Sequence, residues 1–364
     1  MNTLIFRTAD TPLAKICDKA AEVFASGGLV AFPTETVYGL GANGLSADSS
    51  AKIFEAKGRP SDNPLILHIG EKEQLIPLVK EVPPEAELLI EHFWPGPLTI
   101  IFKKSEIVPY RTSGGLDTVA VRMPSHPVAA AMLKKTPLPI AAPSANLSGK
   151  PSTTRASHVL EDLNGRVDMI IDGGDVPIGV ESTIIDMTQD RPVLLRYGYI
   201  TLAEIEEVIG PVEVDLAIRA ENIISHTADV ERPKAPGMKY RHYAPKAPLT
   251  VVSGTEEEMV SMIRELADDA AGIQTVDEHM ECYPSGKTVT LGSMERPDEI
   301  AHRLFDALRS FDSLPVDRIY AEDLTRCDIG GAVMNRLLKA AGGNVIYPEK
   351  EDNPEEKEQI QEDL

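Results

Sequence analysis

The chain has 364 residues, which is more than one ordinary domain requires and enough for two. Hydrophobic residues make up 42 % of the chain, so the composition excludes a protein that is disordered throughout. The net charge of −21 argues against a protein that coats nucleic acid non-specifically, because that mode of binding needs a basic surface.

Cysteine use and hydropathy indicate the compartment. Cys17, Cys282 and Cys327 lie far apart and match no zinc or disulfide spacing, which favours a reducing environment. The start of the chain, MNTLIFRTAD, lacks the basic and apolar regions of a signal peptide. No apolar run approaches the roughly 18 residues of a membrane helix. We therefore expect a cytoplasmic protein with no membrane contact.

The first 210 residues alternate helical and strand-like patterns. Thr11-Pro12 predicts a capped helix start, a second helix is expected over Asp48–Lys57 with Gly58 ending it, and a third over Glu85–Trp94. Thr201 and Glu204 form a capping box for a last helix that stops at Gly210. Short apolar runs predict strands at Leu29–Phe32, Leu65–Ile69, Leu98–Phe102, Val119–Val121, Pro139–Ala142, Met169–Ile171, Thr183–Ile185 and Val193–Leu195. This rhythm is typical of an α/β domain with a twisted mixed sheet, flanking helices and a ligand cleft.

The rest of the chain divides into a linker, a second domain and a tail. Residues 211–247 lose the rhythm and end in the proline-rich PKAPGMKYRHYAPKAP, so we interpret them as a linker. Residues 248–347 alternate strands with helices and predict a smaller, Rossmann-like α/β domain with a parallel sheet. Residues 348–364 hold eight acids and two lysines and predict a disordered acidic tail.

Several polar residues are hard to explain by packing. Phe32–Asn43 reads FPTETVYGLGAN, and we interpret it as a loop whose glycines and small hydroxyl residues let a ligand approach the backbone. Lys57 and Arg59 flank a glycine at a helix end, where they either complement the helix dipole or hold phosphates. His68 lies within an apolar strand, where a lone histidine is more often packed than a ligand.

Other polar groups follow predicted strands. Arg122 comes directly after an apolar run and must find a partner, either a substrate carboxylate or a neighbouring acid. Ser144, Asn146, Ser148 and Ser152 cluster after another strand, where α/β sheets tend to bind ligands, although Ser and Asn are also good turn formers. Arg196 is a further strand-exit cation. Together with Lys57 and Arg59 these make four cations, which in an acidic protein indicate one focused pocket for anions.

Seven motifs in order resemble the threonylcarbamoyl-AMP synthase family over residues 28 to about 210. They are GLVAFPTETVYGLGAN, the K-x-R of Lys57-Gly58-Arg59, NPLILHI, FWPGPLT, VAVRMP, the S-x-N of Ser144-Ala145-Asn146, and GVESTIID. PGMKYRHYAP and the smaller domain behind it resemble the two-domain form of the family. The acidic tail is not a feature that the resemblance covers.

The resemblance implies a nucleotidyltransferase. It would make L-threonylcarbamoyl-AMP and pyrophosphate from L-threonine, bicarbonate or CO2, and ATP. This is the first step toward N6-threonylcarbamoyladenosine at position 37 of ANN-decoding tRNAs. The resemblance also implies Mg²⁺ with ATP, a downstream tRNA threonylcarbamoyl transferase as partner, and a weak tRNA contact at most. No dedicated carboxylate cage for a metal is visible in the sequence.

The resemblance also assigns roles to residues. Lys57 and Arg59 would be catalytic by neutralising charge on the triphosphate, and Arg122 would pair with the threonine carboxylate. Tyr240 would fold over the nucleotide as part of a lid that excludes water. The threonine-binding residues would be Thr36, His68, Thr118, Arg122 and Ser182. The nucleotide-binding residues would be Arg59, Asn63, Ala142, Ser144, Asn146, Ser152, Arg196 and Tyr240.

Two alternatives stay open at this point. A carbamoyl-transfer enzyme on the same fold would carry acylphosphatase and zinc-finger segments, which the length and the cysteines do not allow. An RNA-binding module would need a basic footprint, which the net charge of −21 opposes. The role of the second domain is not readable from the sequence, and our hypothesis is that it anchors the lid and regulates product release.

Overall fold

The computed structural model describes residues 2–60, 63–219, 233–236, 242–284, 286–327 and 329–348. Tyr240, residues 220–232 and 237–241 of the predicted linker and lid, and the acidic tail beyond residue 348 lie outside these residues. The described chain contains two sheets, one of 11 strands and one of 5, which confirms the predicted large and small α/β domains.

The large sheet is mixed, as the sequence predicts. Its strands are β1 Leu4–Arg7, β2 Val30–Pro33, β3 Tyr38–Asn43, β4 Ile66–His68, β5 Leu98–Lys103, β6 Thr118–Arg122, β7 Ile140–Ala141, β8 Met169–Asp172, β9 Thr183–Asp186, β10 Val193–Arg196 and β11 Glu213–Val214. Their order across the sheet is β1-β8-β2-β3-β7-β4-β6-β5-β9-β10-β11. Pairing is parallel for β4 with β6 and antiparallel for β4 with β7 and β5 with β6. The central strands are buried, and the polar residues at their ends lie around one cleft.

Helices cover this sheet. They are α1 Leu13–Ala25, α2 Ala47–Lys57, α3 Pro84–Phe93, α4 Pro127–Lys135, α5 Ala156–Leu163 and α6 Leu202–Ile209. Helix α2 ends because Gly58 takes a left-handed conformation with φ 62°, which glycine adopts without steric cost. Helix α6 begins at the predicted capping box, in which the Thr201 side chain accepts a hydrogen bond from the Glu204 amide.

The small domain has a fully parallel sheet. Its strands are β12 Leu249–Val252, β13 Ala271–Thr275, β14 Thr288–Thr290, β15 Arg318–Glu322 and β16 Val345–Ile346, in the order β14-β13-β15-β12-β16. Its helices are α7 Glu256–Leu266, α8 Pro297–Ser310 and α9 Gly330–Ala341. In the described part of the chain, no helix has the length and apolar character needed to cross a bilayer.

The two domains share part of one apolar core. Val37 and Val180 of the large domain are buried in the same cluster as Phe305 of α8 and Leu337 of α9. Tyr243, at the end of the linker, packs against Phe305 with ring centroids 5.1 Å apart. The small domain is therefore packed against the segments that lead into the cleft.

The structure corrects several predicted elements. Phe32–Asn43 is not a loop, because β2 and β3 form an antiparallel pair within it. Thr11 does not cap α1, since the residue at the cap position is Pro12 and no side-chain hydrogen bond is present there. The predicted linker is ordered at its start, where β11 joins β10 and Ile218 is buried. The sequence does not predict β1, α4, α5 and β13. Strand β1 is a partly exposed edge strand, and α4 and α5 are short helices of nine and eight residues.

Candidate functional site

One cleft gathers most of the polar residues that the sequence singles out. It encloses about 630 Å³ of empty space, with the open mouth included. The predicted site residues that line it are Thr36, Arg59, His68, Arg122, Ala142, Ser144, Asn146, Ser182 and Arg196. Three of these are arginines, so positive charge is concentrated in this cleft of an acidic protein.

The sequence leaves two kinds of partner open for Arg122, a substrate carboxylate or a neighbouring acid, and the position of the side chain is compatible with both. Its side chain lines the cleft, and its Nη2 forms a buried ion pair with Glu35 Oε1 at 2.6 Å. Nη1 donates to the Thr36 hydroxyl at 2.9 Å, and Nε donates to the Gly96 carbonyl at 3.3 Å. Burial alone would raise the pKa of Glu35, but Arg122 holds it below its ordinary value, so Glu35 is ionised. The pair fixes the guanidinium at the cleft wall.

His68 lies beside Arg122 because β4 pairs with β6 in register. Its ring is buried and contacts the edge of Phe32, and its Nδ1 lies 3.2 Å from the Ile66 carbonyl oxygen. Burial, and then the charge of Arg122, lower its pKa to about 3. His68 is therefore neutral at physiological pH and adds no charge to the cleft.

Ser182 and Arg196 form a second polar group in the cleft. Arg196 Nη2 donates to the Ser182 hydroxyl at 3.0 Å, and Arg196 Nε donates to the Ser182 carbonyl at 3.0 Å. The Ser182 hydroxyl also lies 2.8 Å from that of Thr99 on β5. Burial lowers the pKa of Arg196 to about 10, so the side chain remains charged at neutral pH.

The Ser144-Ala145-Asn146 turn forms another wall. A bridge between Gly39 and Ser144 fixes the turn to β3, and the Ser144 hydroxyl donates to Asn146 Oδ1 at 2.6 Å. The Asn146 amide donates to the carbonyls of Leu147 and Lys150. These bonds hold the turn in one conformation with Ser144 and Asn146 facing the cleft.

Lys57 supports this turn from behind. Its Nζ is buried and donates to the carbonyl of Ser144 and, at 2.7 Å, to that of Asn146. Lys57 does not line the cleft, whereas Arg59 does. Burial, and then the charge of Arg59, hold the pKa of Lys57 well below its ordinary value. Lys57 is thus a buried side chain, because the C-terminus of α2 points it into the protein.

Three other predicted residues do not line the cleft in the described structure, and a fourth is not among the described residues. Ser152 is one step behind it and donates to Glu181 Oε1 at 2.6 Å. Asn63 is buried, and its amide has no hydrogen-bond partner among the described residues. Thr118 begins β6 and lies at the opposite end of that strand from Arg122, about 13 Å away at the rise of an extended chain. Tyr240 lies outside the described residues.

Sequence reasoning assigns no role to three residues that shape the site. Glu35 sits between the two threonines of PTET and pairs with Arg122. Glu181 and Tyr243 both line the cleft, and the Tyr243 hydroxyl hydrogen-bonds the Glu181 carboxylate. Tyr243 has φ 64°, a strained conformation for a residue other than glycine and one that concentrates at functional sites. The sequence does hold a signal for Glu35 and Glu181. Each is a carboxylate next to a strand, and a buried arginine needs a carboxylate as its partner.

The donor set in the cleft does not form a metal cage. Among the described residues, no group of three or more His, Cys, Asp or Glu side chains is placed to hold a metal ion. The carboxylates of Glu35 and Glu181 are each bound to an arginine.

The fold and the cleft define a two-domain α/β protein with one polar cleft that three arginines line. The family model described as "Telomere recombination" matches residues 22–198. The model described as "Threonylcarbamoyl-AMP synthase, C-terminal domain" matches residues 200–342.

Curated relatives and solved structures agree with these matches. Threonylcarbamoyl-AMP synthase of Bacillus subtilis is 49 % identical over 90 % of this chain and 93 % of its own length. That of Pyrococcus abyssi is 50 % identical over 90 % of this chain and 94 % of its own length. A crystal structure of P. abyssi Sua5 complexed with L-threonine matches with a TM-score of 0.87 and 47 % identity, over 95 % of this chain and 99 % of that one. The chain belongs to the threonylcarbamoyl-AMP synthase family, which confirms the resemblance seen in the sequence.

Proposed function

We propose that the protein makes L-threonylcarbamoyl-AMP and pyrophosphate from L-threonine, bicarbonate or CO2, and ATP. The threonine amine forms a new N–C bond to the carbon of CO2 and loses a proton, which gives a carbamate. A carbamate oxygen then bonds to the α-phosphorus of ATP as the bond from that phosphorus to the bridging oxygen breaks. Pyrophosphate leaves with the electron pair of that bond.

The observation that carries this proposal is the convergence of Arg59, Arg122 and Arg196 on one cleft in a chain of net charge −21. The carbamate is already an oxyanion, so the reaction needs positioning and charge neutralisation more than a strong base. A neutral His68 fits this requirement, because it can contact a substrate without adding charge. The P. abyssi relative was crystallised as a complex with L-threonine, which supports the same substrate for this chain.

We assign the threonine end of the cleft to Thr36, His68, Arg122 and Ser182. Glu35 holds Arg122 in place, so that the guanidinium can donate hydrogen bonds to the threonine carboxylate without moving. The hydroxyls of Thr36 and Ser182 are buried and fixed by arginines, so they supply oriented polar partners for the amine and hydroxyl of threonine. Thr118 stays a prediction from the resemblance, and its position at the far end of β6 does not support direct contact.

We assign the nucleotide end to Arg59, Asn63, Ala142, Ser144, Asn146, Ser152 and Arg196, with Tyr240 closing over it as a lid. Arg59 and Arg196 would neutralise phosphate oxygens as pyrophosphate leaves. The buried amide of Asn63 is suited to a nucleotide contact. Ser152 acts from behind the cleft through Glu181.

Two further roles are part of the proposal. Lys57 positions the Ser144–Asn146 turn, because its Nζ donates to the carbonyls of Ser144 and Asn146. Mg²⁺ enters with ATP, held by the phosphates and water, because the described residues offer it no cage. We also propose a cytoplasmic location and transfer of the product to a separate tRNA threonylcarbamoyl transferase, with weak tRNA contact at most.

The test is pyrophosphate release from ATP and bicarbonate with each of the twenty amino acids. We expect release with L-threonine alone. L-Valine is the matched control, since a methyl group replaces the threonine hydroxyl and leaves the partners of that hydroxyl in the cleft unpaired. Such a change lowers kcat/KM by about 10⁴-fold at a site that binds a hydroxyl. Release that does not depend on the amino acid, or that needs no bicarbonate, would reject the proposal.

A further inference from the structure

Glu181 joins three parts of the chain at the nucleotide end of the cleft. Its carboxylate accepts from Ser152 of the large domain, from Tyr243 of the linker and from Arg336 of the small domain. Burial would raise the pKa of Glu181, but Arg336 and then Arg196 hold it below its ordinary value. The ionised carboxylate is thus neutralised by the small domain.

Arg336 lies on α9 and is fully buried. Its Nε donates to Glu181 Oε2 at 3.1 Å, and its Nη1 donates to the Tyr197 carbonyl at 2.5 Å. Tyr197 directly follows Arg196, so one guanidinium binds both the carboxylate behind Ser152 and the backbone beside Arg196. Removal of Arg336 releases two supports of the nucleotide end at once.

Arg309 on α8 makes a second connection. Its Nη2 donates to the Pro151 carbonyl at 2.6 Å and to Asp162 Oδ2 at 2.8 Å. Asp162 in turn accepts from the Leu147 amide and pairs with Lys150. The small domain therefore holds both ends of the segment 147–152, which follows the Ser144–Asn146 turn.

The backbones of the two domains also pack closely at Gly179, and this contact requires a glycine. A Cβ at Gly179 would lie 2.5 Å from His302 Cα and 2.6 Å from the Ala301 carbonyl oxygen, both on α8. Glycine therefore lets α8 approach the segment that carries Glu181 two residues later, and Val180 between them is buried in the shared core.

We propose that Arg336 and Arg309 of the small domain are positioning residues that shape the nucleotide end of the cleft, Arg336 through Glu181 and Arg309 through the segment 147–152. The inference rests on the proposed function for the identity of the ligand. Neither arginine lines the cleft. At the threonine end, Arg122 and Thr36 are held by contacts within the large domain, so we expect the larger effect on ATP.

The experiment uses the full chain with R336M, R336K and R309M, and with R303M as the matched control, because Arg303 lies on the exposed side of α8. Deletion of the small domain is avoided, since it would expose Val37 and Val180. Folding is checked by the fluorescence of Trp94, the single tryptophan, which is buried in the large domain. Binding of a non-hydrolysable ATP analogue and of L-threonine is measured by calorimetry, beside the KM of each substrate in turnover.

We expect R336M to weaken ATP binding by about tenfold, the scale of one hydrogen bond to a charged group. Threonine affinity should change less than about twofold. R336K keeps the charge without the fork geometry, so it should show a smaller loss and remains informative if R336M does not fold. R309M should behave like R336M, and R303M like the unaltered protein.

Equal losses for ATP and threonine in folded R336M and R309M would overturn the inference, because a general structural role predicts that pattern. Unchanged ATP affinity would overturn it as well. A different outcome concerns the proposed function alone: an unaltered protein that binds the ATP analogue but releases no pyrophosphate with threonine would reject that function.

Discussion

Replacement of Lys57 distinguishes a role in positioning the Ser144–Asn146 turn from a role as an exposed phosphate contact. Lys57 Nζ is buried and donates to the carbonyls of Ser144 and Asn146. Lys57→Ala leaves both carbonyls without these bonds. Because an unsatisfied buried polar group costs about 1–3 kcal/mol, we expect the free energy of unfolding to fall by about 2–6 kcal/mol. A Lys57 that served only as an exposed phosphate contact would cost about 0.3–1 kcal/mol, the value of a helix-end cation.

The assay is urea denaturation followed by the fluorescence of Trp94, which reports on the large domain. Its midpoint and slope give the change in unfolding free energy. Lys57→Met is a matched control, because it keeps the aliphatic stem and removes only the donor; it should lose most of the same stability. A loss below about 1 kcal/mol in both variants would refute the positioning role of Lys57.

Three more predictions follow from the site. Arg59→Ala should lower turnover by about 10²-fold and change stability little, as expected for loss of one electrostatic stabiliser at the cleft surface; steady-state kinetics and the Trp94 assay check both parts. Gly198→Ala should disturb the cleft, since its Cβ would overlap the backbone of Ser182 and Thr183; a thermal-shift assay should show loss of stability, and wild-type stability and activity would contradict the overlap. Below pH 6.5 His68 becomes protonated in the unfolded chain but not in the folded chain, where its pKa is about 3, so the free energy of unfolding falls as the pH decreases. Between pH 7.5 and pH 5, urea titrations should show that the unaltered protein loses about 2 kcal/mol more than His68→Gln. Equal losses would contradict a buried neutral ring.

The sequence predicts the elements with strong local signals. The strand predicted at Leu98–Phe102 and the helix ends predicted at Gly58 and Gly210 agree with the structure, because apolar runs and C-terminal glycines are local physical constraints. The sequence of β3, YGLGAN, is rich in glycine and therefore predicts a loop instead. Its pairing with β2 is a tertiary contact that no local pattern shows.

The site residues also divide into those that local sequence patterns identify and those whose positions depend on the fold. Residues that follow strands, such as Arg122 and Arg196, are found from the sequence because strand ends converge in an α/β sheet. The burial of Lys57 and the distance of Thr118 from Arg122 depend on where helix α2 and strand β6 sit in three dimensions. The contacts that Arg309 and Arg336 make across the domain boundary link positions more than a hundred residues apart, so only the fold shows them.

The most direct test of the proposed chemistry is mass spectrometry of the adenylate formed from ATP, L-threonine and ¹³C-bicarbonate. We predict an adenylate of threonine that carries the ¹³C label in a carbamoyl group and forms only when all three substrates are present. An unlabelled threonyl adenylate, or pyrophosphate release with no threonine-containing product, would contradict carbamate attack on the α-phosphate.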